Sequence, residues 1–199
     1  MSINPSESST VDTLIEKATE IFSIKGYAAT NLTDISDALG ISRGPIYYHF
    51  KDKFGLYAAA FENYDQDVRA SHADIIAQDQ HIMVFMENVI FDCALRNTRF
   101  GPNFFIGIDS IDELQPLLGK FNAMNNDIYQ EKLDYVQRSI DKGEVRKNTD
   151  AKHVADLIYI IYLGLLSAIQ VQMLDAYSES EIRNLVRILL RGIERYCCD

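Results

Sequence analysis

Two helix signals separated by a glycine, within about twenty residues, constrain this chain more than any other feature. Asn31-Leu-Thr-Asp34 has the layout of a capping box, in which a polar N-cap is answered by a carboxylate three residues on. A short helix follows through Ile35, Ala38 and Leu39, and Gly40 ends it. Ile41 is apolar in the turn and is expected to plug the junction of the two helices. Ser42 is expected to cap the next helix, with Pro45 in its first turn, where a missing N–H costs little. Helix, glycine-containing turn, helix is a helix-turn-helix pattern, here over residues 31–50.

Such a second helix lies in the DNA major groove with its N-terminal residues against the base edges. Its first turn should be narrow and carry a forked donor. Ser42, Arg43, Gly44 and Pro45 fit, and Arg43 could fork onto a guanine. One turn on, Tyr47 and Tyr48 offer hydroxyls and flat apolar faces. His49, Lys51 and Lys53 sit where the duplex backbone would pass, and contacts there fix register. Ile46 and Phe50, four apart, form the inward face. Plainer readings stay open: Arg43 and Lys51 as solvated charges, Tyr47 as packing, Tyr48 as an exposed aromatic, His49 as a helix-end cap.

Ahead of this pattern, Ser2 to Ser9 reads as a tail. A helix runs from Thr10 with Leu14, Ala18, Ile21 and Phe22 on one face, closed by Lys25-Gly26. Residues 10–60 resemble the DNA-binding domain of the TetR family of bacterial transcriptional regulators. The matching residues are Ala18, Phe22, Gly26-Tyr27, Thr30, Ile35, Leu39-Gly40, Ser42, Gly44, Ile46-Tyr-Tyr-His-Phe50, Lys53 and Leu56. Phe54-Gly55 stand where that family usually has acidic residues. The resemblance implies an all-α fold of about nine helices. A three-helix headpiece, 8–68, would precede a larger regulatory, ligand-binding and dimerisation domain, 69–199. It also implies a homodimer on a palindromic double-stranded DNA operator, released when a small hydrophobic effector binds. Carried over by position, Thr33 would contact phosphate. Arg43, Gly44, Pro45, Tyr47 and Tyr48 would face bases and sugars, and His49 and Lys53 would grip the backbone.

Charge limits how that binding could work. The 199-residue chain carries a net charge of −10, which excludes a generic polyanion binder. Within residues 1–60, Lys17, Lys25, Arg43, Lys51 and Lys53 face Glu7, Asp12, Glu16, Glu20, Asp34, Asp37 and Asp52. Nucleic-acid contact must therefore be local and salt-sensitive.

The rest of the chain reads as helices. One continues from Leu56 toward Ala73, and another spans Ile75 to Asn97 with Cys93 and Ala94 in its stripe. Phe100-Gly-Pro-Asn-Phe-Phe-Ile-Gly-Ile108 breaks the regularity. A helix through Leu117 and Ile140 ends near Gly143, and the next starts at Thr149 or Asp150. Leu157 to Leu166 is apolar all round, hence buried on more than one side, and too short to span a bilayer. Ser178-Glu-Ser-Glu181 is a capping box for a last helix. The last two helices resemble the family's dimer-forming pair, which puts Tyr162, Gly164, Leu165, Ile169, Ile182, Leu185, Val186, Leu189 and Ile193 at an interface. Candidates to line an effector pocket are Phe85, Phe104, Phe105, Phe121, Met124, Tyr129, Tyr159 and Tyr162, with Asn88, Asp92 and Gln170 as polar handles. The same spacing also suits plain core.

No nucleophile–base pairing, HExxH, CxxC or phosphate loop stands out, and His49, His72, His81 and His153 lack metal spacing, so neither metal nor cofactor is expected. Cys197-Cys198 and one further cysteine make no disulfide framework, and the polar N-terminus has no signal-peptide core, so a cytoplasmic protein is expected. Three other readings stay open: an activator, a protein of this fold that binds ligands or proteins but not DNA, and a small all-α enzyme.

Overall fold

The structure is a computed structural model that describes residues 5–100 and 103–198, with side chains omitted at 5–9, 93–100 and 170. The described residues form eight α-helices and one 3-10 turn, with no strand. They are α1 (Pro5–Ala29), α2 (Leu32–Leu39), α3 (Gly44–Phe50), α4 (Lys53–Ala77), α5 (Ile82–Phe100), a 3-10 turn (Asp112–Leu114), α6 (Gln115–Lys142), α7 (Ala151–Gln170) and α8 (Glu179–Cys197). The side chains of Cys93, Ala94 and Gln170, and all of Gly101 and Pro102, lie outside the described residues.

The chain divides into two compact units. One is Met1–Asp67 with Arg99–Phe121, and the other is Val68–Thr98 with Asn122–Asp199. Helices α4, α5 and α6 each continue from one unit into the other. The first unit's core is built from Leu14, Ala18, Phe22, Tyr27, Ile35, Ile46, Leu56, Tyr57, Ala60 and Phe61, joined by Phe104, Ile108, Leu114 and Leu117. The second unit's core joins Phe85, Met86, Val89 and Ile90 of α5 to Tyr135, Val136 and Ile140 of α6, with Val154 and Ile158 of α7 and Val186, Leu190 and Ile193 of α8.

Local chemistry accounts for most boundaries. Proline suits the first position of a helix because its missing N–H would be unpaired there anyway, and α1 begins at Pro5 rather than Thr10. Gly26, at φ 76°, breaks α1 at the position expected to close it; one more turn follows, to Ala29. The positive φ is open to glycine at little cost. Asp150 caps α7 by accepting the N–H groups of Lys152 at 2.8 Å and His153 at 3.4 Å. Ser178 and Glu181 form the expected capping box on α8. The helix expected from Ile75 is instead split: Ile75 lies in the last turn of α4, which ends at Ala77, and Gln78 to His81 form the break. Glu144 caps the new start by accepting the Ile82 N–H at 2.9 Å. A continuous apolar stripe hid that break.

Helix α4 starts immediately after α3, and the corner is tight. Asp52 accepts the Gly55 N–H at 2.7 Å. A Cβ on Gly55 would sit 2.0 Å from the Phe50 carbonyl oxygen. Glycine at 55, which departs from the family pattern, is therefore what lets α3 and α4 meet. Gly55→Ala is expected to cost about 2 kcal/mol or more, read as a lower thermal midpoint by circular dichroism. An unchanged midpoint would mean the corner relaxes freely.

Candidate nucleic-acid interface

Helix α3 has only seven residues and presents two unlike sides. Ile46 is fully buried against Ile35 and the rest of the first core, and Phe50 packs on it partly buried. On the other side Tyr47 is 50% and Tyr48 77% exposed, unusual for large aromatics unless a partner covers them. Ser42, Arg43 and Gly44 are exposed at the tip, and Pro45 is half-buried in the first helical turn. Thr33, on α2, is exposed. Asn31, Leu32, Thr33, Asp34, Arg43, Tyr47 and Lys53 line one groove of about 590 Å³. Arg43 of the tip, Tyr47 and the start of α2 therefore converge.

Two expectations about the turn are corrected. The residue at the N-cap of α3 is Arg43, in helical geometry and without a side-chain cap, so Ser42 lies one residue outside the helix. Proline fits the first turn wherever the helix begins there, so the sequence leaves that start open by one residue. Ile41 is 37% exposed and does not plug the junction. Ile35 and Ile46 already fill that space.

The start of α2 is fixed from two directions. The Asn31 N–H donates to Asp34 Oδ2 at 2.9 Å, and Lys25 reaches Asp34 Oδ1 at 3.1 Å. The capping half was readable from sequence; the ion pair to the end of α1 was not, since nothing local links positions 25 and 34. Past the tip, the His49 ring meets the Tyr48 ring edge-on with centroids 4.8 Å apart. Lys51 turns the chain at φ 70° and is exposed. Lys53 donates to the Tyr27 carbonyl at 3.0 Å and the Thr30 carbonyl at 3.2 Å.

Residues 14–60 match the profile described as bacterial regulatory proteins, tetR family. This headpiece is that of the TetR family. It is 28% identical over 161 residues to the biofilm-operon negative transcriptional regulator IcaR of Staphylococcus epidermidis, covering 77% of this chain and 79% of that protein. Among solved structures it resembles a TetR transcriptional regulator from Chloroflexus aurantiacus, with 25% identity, a TM-score of 0.74, and 94% and 97% of the two chains covered. It also shares its fold with the TetR-family regulator CifR, seen as a cysteine mutant with 26-bp double-strand operator DNA, at 18% identity and a TM-score of 0.73 over 90% and 94% of the chains. The protein is a DNA-binding transcriptional regulator, and its curated relatives are named as transcriptional regulators.

The expected pocket residues are divided between the two units. Phe104 is buried in the first core, stacked on Tyr57 with centroids 4.9 Å apart, and Phe105 tilts against Phe121 at 5.0 Å. The others lie in the second unit. Phe85 stacks on Tyr135 at 3.6 Å, and Met124 is buried. Asn88 donates to Gln80 at 2.9 Å, Asp92 accepts from Ser71 at 2.9 Å, and Tyr129 donates to Asp156 at 2.7 Å. Tyr159 tilts toward Tyr162 at 6.0 Å. Helical spacing marks a residue as inward-facing but not which core it enters.

The expected interface residues also divide. Val186 and Ile193 are buried in the chain's own core, and Leu165 packs partly against it. Tyr162, Ile169, Ile182 and Leu185 are half-buried, while Gly164 and Leu189 are exposed. Helix α8 carries one broad apolar stripe, of which Val186, Leu190, Ile193 and Cys197 are buried while Leu189 and Tyr196 at its edge stay exposed. On α7 the open stripe runs Leu157, Ile160 and Gly164, with Ile160 60% exposed.

The Asn31 N–H, and after it the Lys25 ammonium, hold the Asp34 carboxyl below the usual carboxylate range. A carboxyl with a lower pKa folded than unfolded adds stability above the unfolded value and loses it as pH falls through the folded value. Between about pH 5 and pH 2, the natural protein is therefore expected to lose more stability than Asp34→Asn. Denaturant midpoints measured across that range check it; parallel curves would contradict it.

Proposed function

We propose that this regulator is a repressor that binds a palindromic operator as a homodimer and leaves it when a small hydrophobic molecule occupies the second unit. The observation that carries the DNA side is the exposed aromatic pair Tyr47 and Tyr48 on a helix anchored from behind by Ile46. Arg43 reads a base at the tip, Thr33 meets phosphate from α2, and Ser42, Gly44 and Pro45 keep the tip narrow. His49 follows the backbone. Relatives named as negative regulators support repression. In this reading residues 8–68 bind DNA and 69–199 regulate, in the cytoplasm, although Arg99–Phe121 folds with the first unit.

The exposed apolar stripe of α7, with Leu189 and Tyr196 of α8, forms the dimer face. Two recognition helices then stand about one helical turn of DNA apart, ~34–36 Å. An effector that favours another spread shifts population away from the DNA-bound state, and tenfold to hundredfold release takes only about 1.4–2.7 kcal/mol of coupling.

Arg43→Ala and Tyr47→Ala are each expected to cost about 1–3 kcal/mol of operator affinity, read by electrophoretic shift on DNA from the protein's own promoter region. Unchanged affinity in both variants would defeat the assigned interface. Ile160→Glu is expected to give monomers in analytical ultracentrifugation while the far-UV spectrum stays helical. A dimer that survives this change would place the interface elsewhere.

A further inference from the structure

Lys53 has a second partner set that a phosphate-gripping lysine does not need. Its ammonium donates to two backbone carbonyls, Tyr27 at 3.0 Å and Thr30 at 3.2 Å, and lies 4.3 Å from the centre of the Tyr27 ring. Those carbonyls lie in the last turn of α1 and one residue past its end, beyond the break at Gly26. The end of a helix leaves carbonyls without intrahelical donors and carries partial negative charge, so an ammonium is well matched to it. Tyr27 is buried, stacked on Phe22 and edge-on to Tyr57. Thr30 is fully buried and donates through Oγ1 to the Gly26 carbonyl at 2.8 Å. The next residue, Asn31, is the N-cap of α2. Lys53 itself is the first residue of α4, three positions beyond the last residue of α3. One ammonium thus joins the exit of α1, the entry of α2 and the corner that follows the recognition helix.

We propose that Lys53 is a positioning residue, which sets the angle of α3 against α1 and α2 and does not itself neutralise a phosphate. This rests on the DNA-binding reading above and replaces the backbone grip that the family resemblance implies for Lys53. Two of the three ammonium donors are already committed, and the cation also sits on a ring. Reaching a phosphate would break the tie that holds the groove in shape. Side-chain length and donor capacity at position 53 therefore matter more than charge.

Lys53→Met keeps most of the apolar stem but loses every donor; Lys53→Gln has the same reach as methionine, one atom short of lysine, and is neutral but still donates. In the full-length protein, Lys53→Met is expected to weaken operator binding about tenfold or more, with the salt dependence of binding unchanged. Exchange of the Thr30 and Asn31 amides in the DNA-free protein should speed up. Lys53→Gln should restore part of both. A phosphate contact predicts the opposite: a salt slope smaller by about one, unchanged amide exchange, and no rescue by glutamine. That result would overturn the proposal. Circular dichroism confirms that each variant folds, and if Lys53→Met does not, the salt slope and exchange of Lys53→Gln decide alone. The exchange measurement needs no DNA, so failure of the DNA reading and failure of this proposal are told apart.

Discussion

A seven-residue helix cannot hold itself in water, because helix nucleation costs more than so few backbone bonds return. Every contact in the first unit that touches α3 answers that constraint. Ile46 supplies the buried anchor, and the tight corner at Gly55 ties the helix end to the start of α4. Behind them stands an aromatic cluster in which Tyr57 meets Phe22, Tyr27 and Phe104 at centroid distances of 5.0, 5.0 and 4.9 Å. The Tyr57 hydroxyl is buried and donates to the Phe104 carbonyl at 2.5 Å. Burial pushes that hydroxyl far above the usual tyrosine range, so it stays a donor at any physiological pH. The exposed side of α3 can then be given over to recognition, since the buried anchor of the helix is Ile46 and not Tyr47 or Tyr48.

The same cluster explains why the segment after α5 belongs with the first unit. Asn103 donates its N–H to the Ser23 carbonyl at 3.3 Å and its side-chain amide to the Ile24 carbonyl at 2.7 Å. Both carbonyls lie near the end of α1, where intrahelical donors run out. Phe104 follows directly and fills the space beside Tyr57. The irregular backbone from Asn103 to Ser110 is thus fastened at one end by hydrogen bonds to α1 and held in the middle by a buried ring. Lys120 adds an ion pair to Glu62 near the far end of the stretch. Helix α6 begins at Gln115, five residues beyond this stretch, and its first residues, to Phe121, fold with the first unit.

What could be read from sequence was local chemistry. Capping boxes at Asn31 and Ser178, glycine stops at Gly26 and Gly40 and the cap at Asp150 are short-range signals, and each falls where expected. Exposure of Tyr47 and Tyr48 followed from the single inward face through Ile46 and Phe50. Long-range pairings were out of reach. Neither the Lys25–Asp34 ion pair nor the Lys53 bonds to the end of α1 leave a periodic trace. The pocket and interface assignments strained the method most. Periodicity gives an inward direction for each helix, but Phe104 and Phe85 enter different cores, and only part of the apolar stripe of α8 is buried.

Helix α7 shows how far composition can mislead unless packing is added. Over Ala151–Ile169 it is long and apolar enough to cross a membrane by length and composition. Its first two turns argue otherwise. Asp150, Lys152, His153 and Asp156 cluster there, Lys152 pairs with Asp156 at 2.6 Å, and Asp156 also accepts from Tyr129 of α6 at 2.7 Å. A bilayer would have to strip these charges of water. Val154, Ala155 and Ile158 are meanwhile buried within the protein's own second unit. Only the opposite stripe stays open, and α8, which packs against α7, adds Leu189 and Tyr196 at 56% and 46% exposure. A surface that is apolar in the middle, charged at one end and shared between two packed helices suits a folded partner better than lipid. A second copy of the same chain, related by a two-fold axis, offers that partner at no further cost in sequence.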